Sequence, residues 1–364
     1  SEKKGAALYL NCEEPAIREF LLSPAAFLVD IKELVPPGIP FFFDEIQYLP
    51  EAGLFLKGLV DRRTGHPLYA TGSSAFDLEA KTRESLAGRA LRHVLLPFSL
   101  AETSSSLSVP PALLPRKKQD LLQRFLLYGG YPLVHTGKNP KEELISLVEA
   151  FVIRDASDRI KIKFPAAFRK IMELVASQIG NLCNYSEWAA IAGISVDTVI
   201  EYLGILDNTH IVKLVRPYVG GKRAELTKTP KAYFVDNGIR NQVFGGFTPL
   251  DQRQDRGSLL ENFVFSELYK AINPVVDSLK YWRSKSGAEV DFVLEQQGRI
   301  TGFEVKAGPA RGKVTRSAQS FIRAYQPDHF FVINEQAYSD LCIQSTRVHF
   351  LSTDYADYVR RLRR

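Results

Sequence analysis

Two sets of residues in this sequence have the types and spacing that phosphate chemistry requires. In the last third, Glu261 stands in a helical apolar pattern over 258–270. Asp291 lies in the strand-like run Glu289-Val290-Asp291, and Glu304-Val305-Lys306 closes the next such run. Carboxylates from three elements can share one divalent cation, and a set of hard oxygen ligands suits Mg2+ or Mn2+. A cation held by Glu261, Asp291 and Glu304 would activate water. Lys306, on the same strand face as Glu304, would orient that water or neutralise charge on a scissile phosphate. In the first third, Phe41-Phe42-Phe43-Asp44-Glu45 is an apolar strand ending in two adjacent acids. The first acid of such a pair can hold Mg2+ through water, and the second can polarise a water for attack on a phosphate. The next strand ends in Ser73-Ser74, which puts hydroxyls at the same sheet edge. The plainer uses of these residues are a solvated E-x-K strand face and turn-capping side chains.

The elements that would position these groups alternate in kind. Apolar strand patterns at 6–10, 40–43, 67–71 and 91–96 are separated by helical patterns at 14–22 and 52–62. Strands separated by helices predict a parallel sheet, whose ligands bind at the carboxyl ends of the strands. Residues 103–115 are rich in Ser and Pro and read as a loop. From 118 to about 173 the pattern is helical. A short helix at 185–191, a turn at Ala192-Gly193 and a helix at 195–206 capped by Ser195 follow. A hairpin then runs over 211–216 and 232–235 about Gly220-Gly221. This order predicts a winged helix. The last third predicts strands at 279–283, 289–294, 300–305, 329–333 and 348–351, with helices at 315–324 and 355–363.

The hairpin carries Arg216, Lys222, Arg223, Lys228 and Lys231 against one acid, Glu225, so Arg216, Lys222 and Arg223 are expected along a nucleic-acid phosphate backbone. The helix before it carries Asp197 and Glu201 at i, i+4, acids that repel phosphates and discourage base reading. The alternative is a winged helix that packs between its neighbours. Asp236-Asn237-Gly238 is expected to end a strand and cap a helix.

A phosphate-binding G-x-x-x-x-G-K-[ST] loop does not occur in the sequence, and Gly220-Gly221-Lys222-Arg223 lacks its spacing. Such a loop belongs upstream of 6–10, so the chain, which starts at Ser1 and not Met, is expected to begin just after it. Leu8-Tyr9-Leu10-Asn11, Asp44-Glu45-Ile46-Gln47, Thr71-Gly72-Ser73-Ser74-Ala75 and Ser85-Leu86-Ala87-Gly88-Arg89 follow in order. So do Leu96-Pro97-Phe98-Ser99-Leu100-Ala101-Glu102, Gly129-Gly130-Tyr131-Pro132 and the run Pro230-Lys231-Ala232-Tyr233-Phe234-Val235-Asp236-Asn237-Gly238. With the blocks near Glu261, Asp291 and Glu304, this set resembles archaeal and bacterial AAA-type P-loop ATPases with a C-terminal domain of unknown function. The resemblance implies ATP and Mg2+ as cofactors in the full-length protein. It implies Asp44 as the magnesium-side acid, Glu45 as the base and Ser73 or Ser74 as the γ-phosphate sensor. Arg89 would reach a phosphate from this or a neighbouring subunit of a homo-oligomer, or else serve as a salt-bridge or turn residue. The helix–strand–strand set of Glu261, Asp291, Glu304 and Lys306 is similar to PD-(D/E)xK nucleases.

Composition sets the outer bounds. The 364 residues are 45% hydrophobic and 24% charged, which excludes a disordered or fibrous chain. Lys and Arg exceed Asp and Glu by 47 to 41, a net charge of +6 that permits a nucleic-acid partner. No apolar run reaches membrane-spanning length, and three cysteines without metal-type spacing fit reduced thiols in a cytoplasmic protein. The expected architecture is α/β in three parts. These are a truncated parallel-sheet ATPase core at 1–115, a helical and winged-helix middle at 116–245, and a nuclease-like α/β domain at 246–364. The expected function is ATP binding and hydrolysis in the full-length form, with the last domain recognising DNA. The alternatives are a metal-dependent DNA endonuclease regulated by the ATPase half, or a non-catalytic scaffold.

Overall fold

The structure is a computed structural model. It describes all residues except 1–6, 73–85, 87, 107–108, 152–161, 220–227, 309–311 and 354–364. The chain divides into two compact units, Ser1–Leu95 and Leu96–Arg364.

In the first unit β1 (Leu8–Asn11), β2 (Phe41–Asp44) and β3 (Leu68–Ala70) form a parallel sheet with β2 in the centre. Register pairs Asn11 with Asp44 and Phe43 with Ala70. Among the described residues three helices accompany them: α1 (Pro15–Phe20), α2 (Pro24–Ile31) and α3 (Ala52–Asp61). Proline opens α1 and α2, where its fixed φ fits and its missing N–H costs nothing. Strand alternation sends Phe41 and Phe43 into a core with Leu10, Phe27, Phe55 and Leu59. The Phe27 ring meets Phe41 edge-on at 5.7 Å and Phe55 at 5.8 Å. Each such ring buries enough area to contribute roughly 2–3 kcal/mol. Residues 91–96, expected as a fourth strand, have no regular structure, and Leu91 and Leu95 are 91% and 94% exposed. An apolar run without a partner strand does not hold strand geometry.

The second unit begins with helices. These are α4 (Leu100–Ser105), α5 (Leu114–Tyr128), α6 (Pro132–Thr136), α7 (Pro140–Glu149), α8 (Pro165–Ser177), α9 (Tyr185–Ala192) and α10 (Val196–Asn208). The expected loop at 103–115 is partly helical, because Ser99 and Glu102 form a reciprocal capping box on α4. Gly193 ends α9 in the left-handed region and Ser195 caps α10 through Thr198 N. β4 (Val212–Val215) and β5 (Lys231–Phe234) pair antiparallel, and the turn expected at Gly220-Gly221 lies outside the described residues.

Then come α11 (Asn237–Phe244) and α12 (Arg256–Ala271). The last part is a mixed sheet of β6 (Ser278–Arg283), β7 (Glu289–Gln296), β8 (Arg299–Val305), β9 (His329–Asn334), β10 (Tyr338–Ile343) and β11 (Thr346–Ser352). Its order is β10-β11-β9-β8-β7-β6. α13 (Arg316–Tyr325) makes the crossover between parallel β8 and β9. The closing helix expected at 355–363 lies outside the described residues.

The boundary expected at 245/246 does not separate two bodies. Leu100, Phe125, Val215 and Tyr233 share one core with Phe263, Phe292 and Phe303. Buried Arg240 of α11 donates through Nε to Ala176 O at 2.9 Å and pairs with Asp255, which Arg253 also holds at 2.8 Å. Among the described residues no single helix is long and apolar enough to cross a membrane.

Candidate functional site

Asp44 ends the central strand of the first sheet, and each neighbouring strand supplies it with a donor. Tyr9 OH of β1 and Thr71 Oγ1, just beyond β3, both donate to its carboxylate. These bonds, Thr71 first and Tyr9 second, hold the carboxyl below its ordinary pKa, so it is ionised at neutral pH. Glu45 leaves the strand at φ 52°, in the left-handed region, where a residue with a Cβ is uncommon. Its N–H donates to Thr71 Oγ1 at 3.3 Å, and its carboxylate accepts from Gln47 Nε2 at 2.6 Å. The two acids thus stand at the carboxyl edge of a parallel sheet, oriented by side chains from β1, from the loop after β3 and from the helical turn after β2. Tyr9, Thr71 and Gln47 were not singled out in the sequence as parts of this site. The signal available for Thr71 is a hydroxyl residue one step past β3, beside the strand that ends in Asp44. Ser73 and Ser74 lie outside the described residues. Arg89 pairs with Asp61 at 3.2 Å, and both side chains are exposed.

The second group of acids also comes together. β7 and β8 pair antiparallel with Phe292 opposite Phe303, which puts Asp291 opposite Glu304 one step on. Asp291 Oδ2 accepts from Val305 N at 2.7 Å. Glu304 Oε1 lies 2.7 Å from Lys306 Nζ, and its Oε2 accepts from Thr315 Oγ1, the cap of α13, at 2.9 Å. From α12, Glu261 Oε1 accepts from Tyr233 OH at 2.6 Å. Burial, then the Glu261 charge, pushes the Asp291 carboxyl well above the ordinary range. Burial likewise raises Glu261, against the pull of Lys231 and the Tyr233 bond. Burial draws the Lys306 ammonium down, but Glu304, Asp291 and Glu261 together outweigh it and keep its pKa above the ordinary value.

Each of the three expected ligands is already bonded to a protein donor. Among the described residues, no group of three or more His, Cys, Asp or Glu is placed to hold a metal ion. Glu261, Asp291 and Glu304, expected as a metal cage, are a cluster of acids that each have a protein partner.

Lys231, counted in the sequence among the basic residues of the hairpin, turns inward. It is 3% exposed and pairs with Glu289. Arg216 lends its carbonyl to Tyr281 N at 3.1 Å, and Tyr218 N donates to Tyr281 O at 2.6 Å, so this end of the hairpin is joined to β6. Lys222 and Arg223 lie outside the described residues. Asp197 and Glu201 are exposed on α10.

Residues 1–104 match the AAA domain family. Residues 119–250 and 256–349 match two families each described as a domain of unknown function, DUF8612 and DUF4143. These matches support an ATPase-like first unit and a following domain of unknown function. The chain is 26% identical to the uncharacterized protein Rv2008c of Mycobacterium tuberculosis, over 85% of this chain and 67% of that one. It is 26% identical to an uncharacterized protein of Haemophilus influenzae, over 82% and 74%. With the uncharacterized protein MJ1544 of Methanocaldococcus jannaschii it shares 24%, over 79% and 65%. The crystal structure of protein VC1899 from Vibrio cholerae aligns over 98% of this chain and 96% of its own. Its 12% identity and TM-score of 0.19 are too low to carry a fold argument.

Proposed function

We propose that this chain is the core of an AAA-type ATPase that binds and hydrolyses ATP in its full-length form, and that its second unit recognises nucleic acid without cutting it. The observation that carries the first part is the Asp44–Glu45 pair at the carboxyl end of the central parallel strand, with Tyr9 and Thr71 bonded to Asp44. The donor set fits Mg2+, since Asp44 is an ionised carboxylate, a hard ligand able to hold the cation through water. Bound with ATP, Mg2+ neutralises phosphate charge. Thr71 and Tyr9 fix the Asp44 carboxylate. Gln47 steers the Glu45 carboxylate, which accepts the proton of the attacking water at an Oε atom. Arg89 can reach a phosphate, because an exposed ion pair such as that with Asp61 is worth at most about 1 kcal/mol and exchanges readily.

For the second unit, the order α9, turn, α10, β4, β5 supports reading a winged helix that contacts phosphates through Arg216, Lys222 and Arg223. Exposed Asp197 and Glu201 weigh against base reading. The sheet with Asp291, Glu304 and Lys306 supports a nuclease-like fold, but the bonded state of its acids does not favour the endonuclease reading. The matched segments 1–104, 119–250 and 256–349 are what favours three sequence modules, read at 1–115, 116–245 and 246–364, with Leu96–Arg364 folded as one unit. Free thiols at Cys12, Cys183 and Cys342 fit a cytoplasmic setting. The test is MgATP turnover by the full-length protein and its Glu45→Gln variant. Nucleotide binding should survive and hydrolysis should fall by two orders of magnitude or more, roughly the worth of a general base. Undiminished turnover would remove Glu45 from this role.

A further inference from the structure

The acid cluster of the second unit contains four carboxylates, Glu261, Glu289, Asp291 and Glu304, and its cations come from three different elements. Lys231 of β5 pairs with Glu289. Arg283 of β6 approaches the other Glu289 oxygen at 3.8 Å. Lys306, one residue past β8, holds Glu304 at 2.7 Å. The two remaining acids take neutral donors: Tyr233 OH for Glu261 at 2.6 Å and Val305 N–H for Asp291 at 2.7 Å. Lysine is rarely buried, and Lys231 is 3% exposed with its ammonium 5.4 Å from the Tyr281 ring centroid. Beside Glu261, Gly180 has no Cβ, and one built there would lie 2.9 Å from Glu261 Oε1. The carboxylate is seated against backbone.

These contacts join β5 to the six-stranded sheet. Tyr281 OH donates to Thr229 O at 2.8 Å, two residues before Lys231, and Tyr281 also takes the backbone of Arg216 and Tyr218. A divalent cation shared by Asp291 and Glu304 would enter beside the Lys306 ammonium and compete with Lys306 and Thr315 for the two Glu304 oxygens. We infer that this cluster is a joint between the hairpin and the sheet, held by protein cations and neutral donors and complete without a divalent cation, in which buried Lys231 has the charge role that a metal has in a nuclease site. The inference stands apart from the ATPase reading of the first unit.

The experiment is thermal melting of the whole chain in chelator and in millimolar Mn2+ or Mg2+. It compares wild type with Lys231→Met, Lys231→Arg and Asp291→Asn. Wild type should melt at the same temperature with and without cation. Lys231→Met leaves Glu289 with only the more distant and exposed Arg283 and should melt about 6–10 °C lower in chelator, the scale for breaking a buried pair in a unit of this size. Mn2+ should recover part of that loss, because the uncovered acids then attract it, and Lys231→Arg should keep most of the stability. A Mn2+-dependent rise in the wild-type melting temperature that Asp291→Asn abolishes would overturn the inference by placing a metal in the cluster. So would a Lys231→Met protein that melts like wild type. The wild-type comparison decides even if Lys231→Met does not fold.

Discussion

The Asp236 carboxylate accepts a hydrogen bond from the Gly130 backbone N–H at 2.7 Å, joining residues 106 positions apart. Its other oxygen caps α11 through Gly238 N at 2.8 Å and Ile239 N at 3.2 Å. A Cβ on Gly129 would lie 1.9 Å from Asp236 Oδ1, and one on Gly238 would lie 2.2 Å from Tyr128 O. The runs Gly129-Gly130 and Asp236-Asn237-Gly238 are therefore two halves of one lock between α5 and α11.

Gly129→Ala should break that lock. The new methyl collides with a buried carboxylate, and φ of +71° strains any residue with a Cβ. A loss of about 3 kcal/mol or more is expected in urea unfolding. Gly204→Ala is the control: it lies inside α10, with nothing within 4 Å of the built Cβ. It should gain roughly 0.5–1 kcal/mol from helix propensity. A Gly129→Ala protein as stable as wild type would show that the loop can move aside.

Glu45 is held in the left-handed region at φ 52°. Asn tolerates that conformation better, so Glu45→Asn should hold or raise the melting temperature, by the equivalent of up to about 1 kcal/mol, while removing hydrolysis in the full-length protein. Calorimetric unfolding and a phosphate-release assay read the two effects separately. Equal loss of both would mean that the backbone there depends on the Glu45 side chain.

His210 gives stability a pH dependence. Burial, then the nearby Lys213 charge, draws its pKa down from the usual 6.5 to about 4. Between these values the unfolded chain binds the proton and the folded one does not, so stability rises with pH. The His210 contribution is full above about pH 6.5 and declines as pH falls toward 4. Urea midpoints at several pH values should fall over this window less in His210→Asn, a change that suits φ of 57°. Parallel profiles would show that His210 does not titrate in this way.

Nucleic-acid binding, where measured, should be salt-sensitive and sequence-tolerant. Replacing Lys222 and Arg223 with Ala should weaken binding to unrelated sequences alike and lower the salt slope by roughly one to two units. Loss for one sequence only would mean base reading despite Asp197 and Glu201.

Much of the helical and strand pattern was legible because local signals agreed with packing. Ser195 before an apolar periodic run places α10 within two residues, and Asp236 does cap a helix, as its motif predicts. β10 was not legible, because Ser339 and Asp340 interrupt its apolar pattern and its partner β11 decides its state. α2 hid between two prolines in a stretch whose core residue, Phe27, packs against rings far away in sequence. At the sites, the acids could be read from spacing, but their partners could not. Tyr9 is 35 residues from Asp44, and Lys231 is 58 from Glu289. Lys231 looked like one more surface cation of a basic hairpin because burial is a property of the assembled core.

The pairing of the 216–218 backbone with Tyr281 bears on how the chain can be divided. β6 is the last strand of its sheet, and Pro217 and Tyr218 occupy part of its outer side. A fragment that starts at 246 would leave that row of N–H and C=O groups bare, and with it the apolar surface once covered by Tyr233 and Phe125. Bare strand edges recruit other strands. Such a fragment should self-associate and precipitate on expression, whereas one that starts at Leu96 should remain monodisperse.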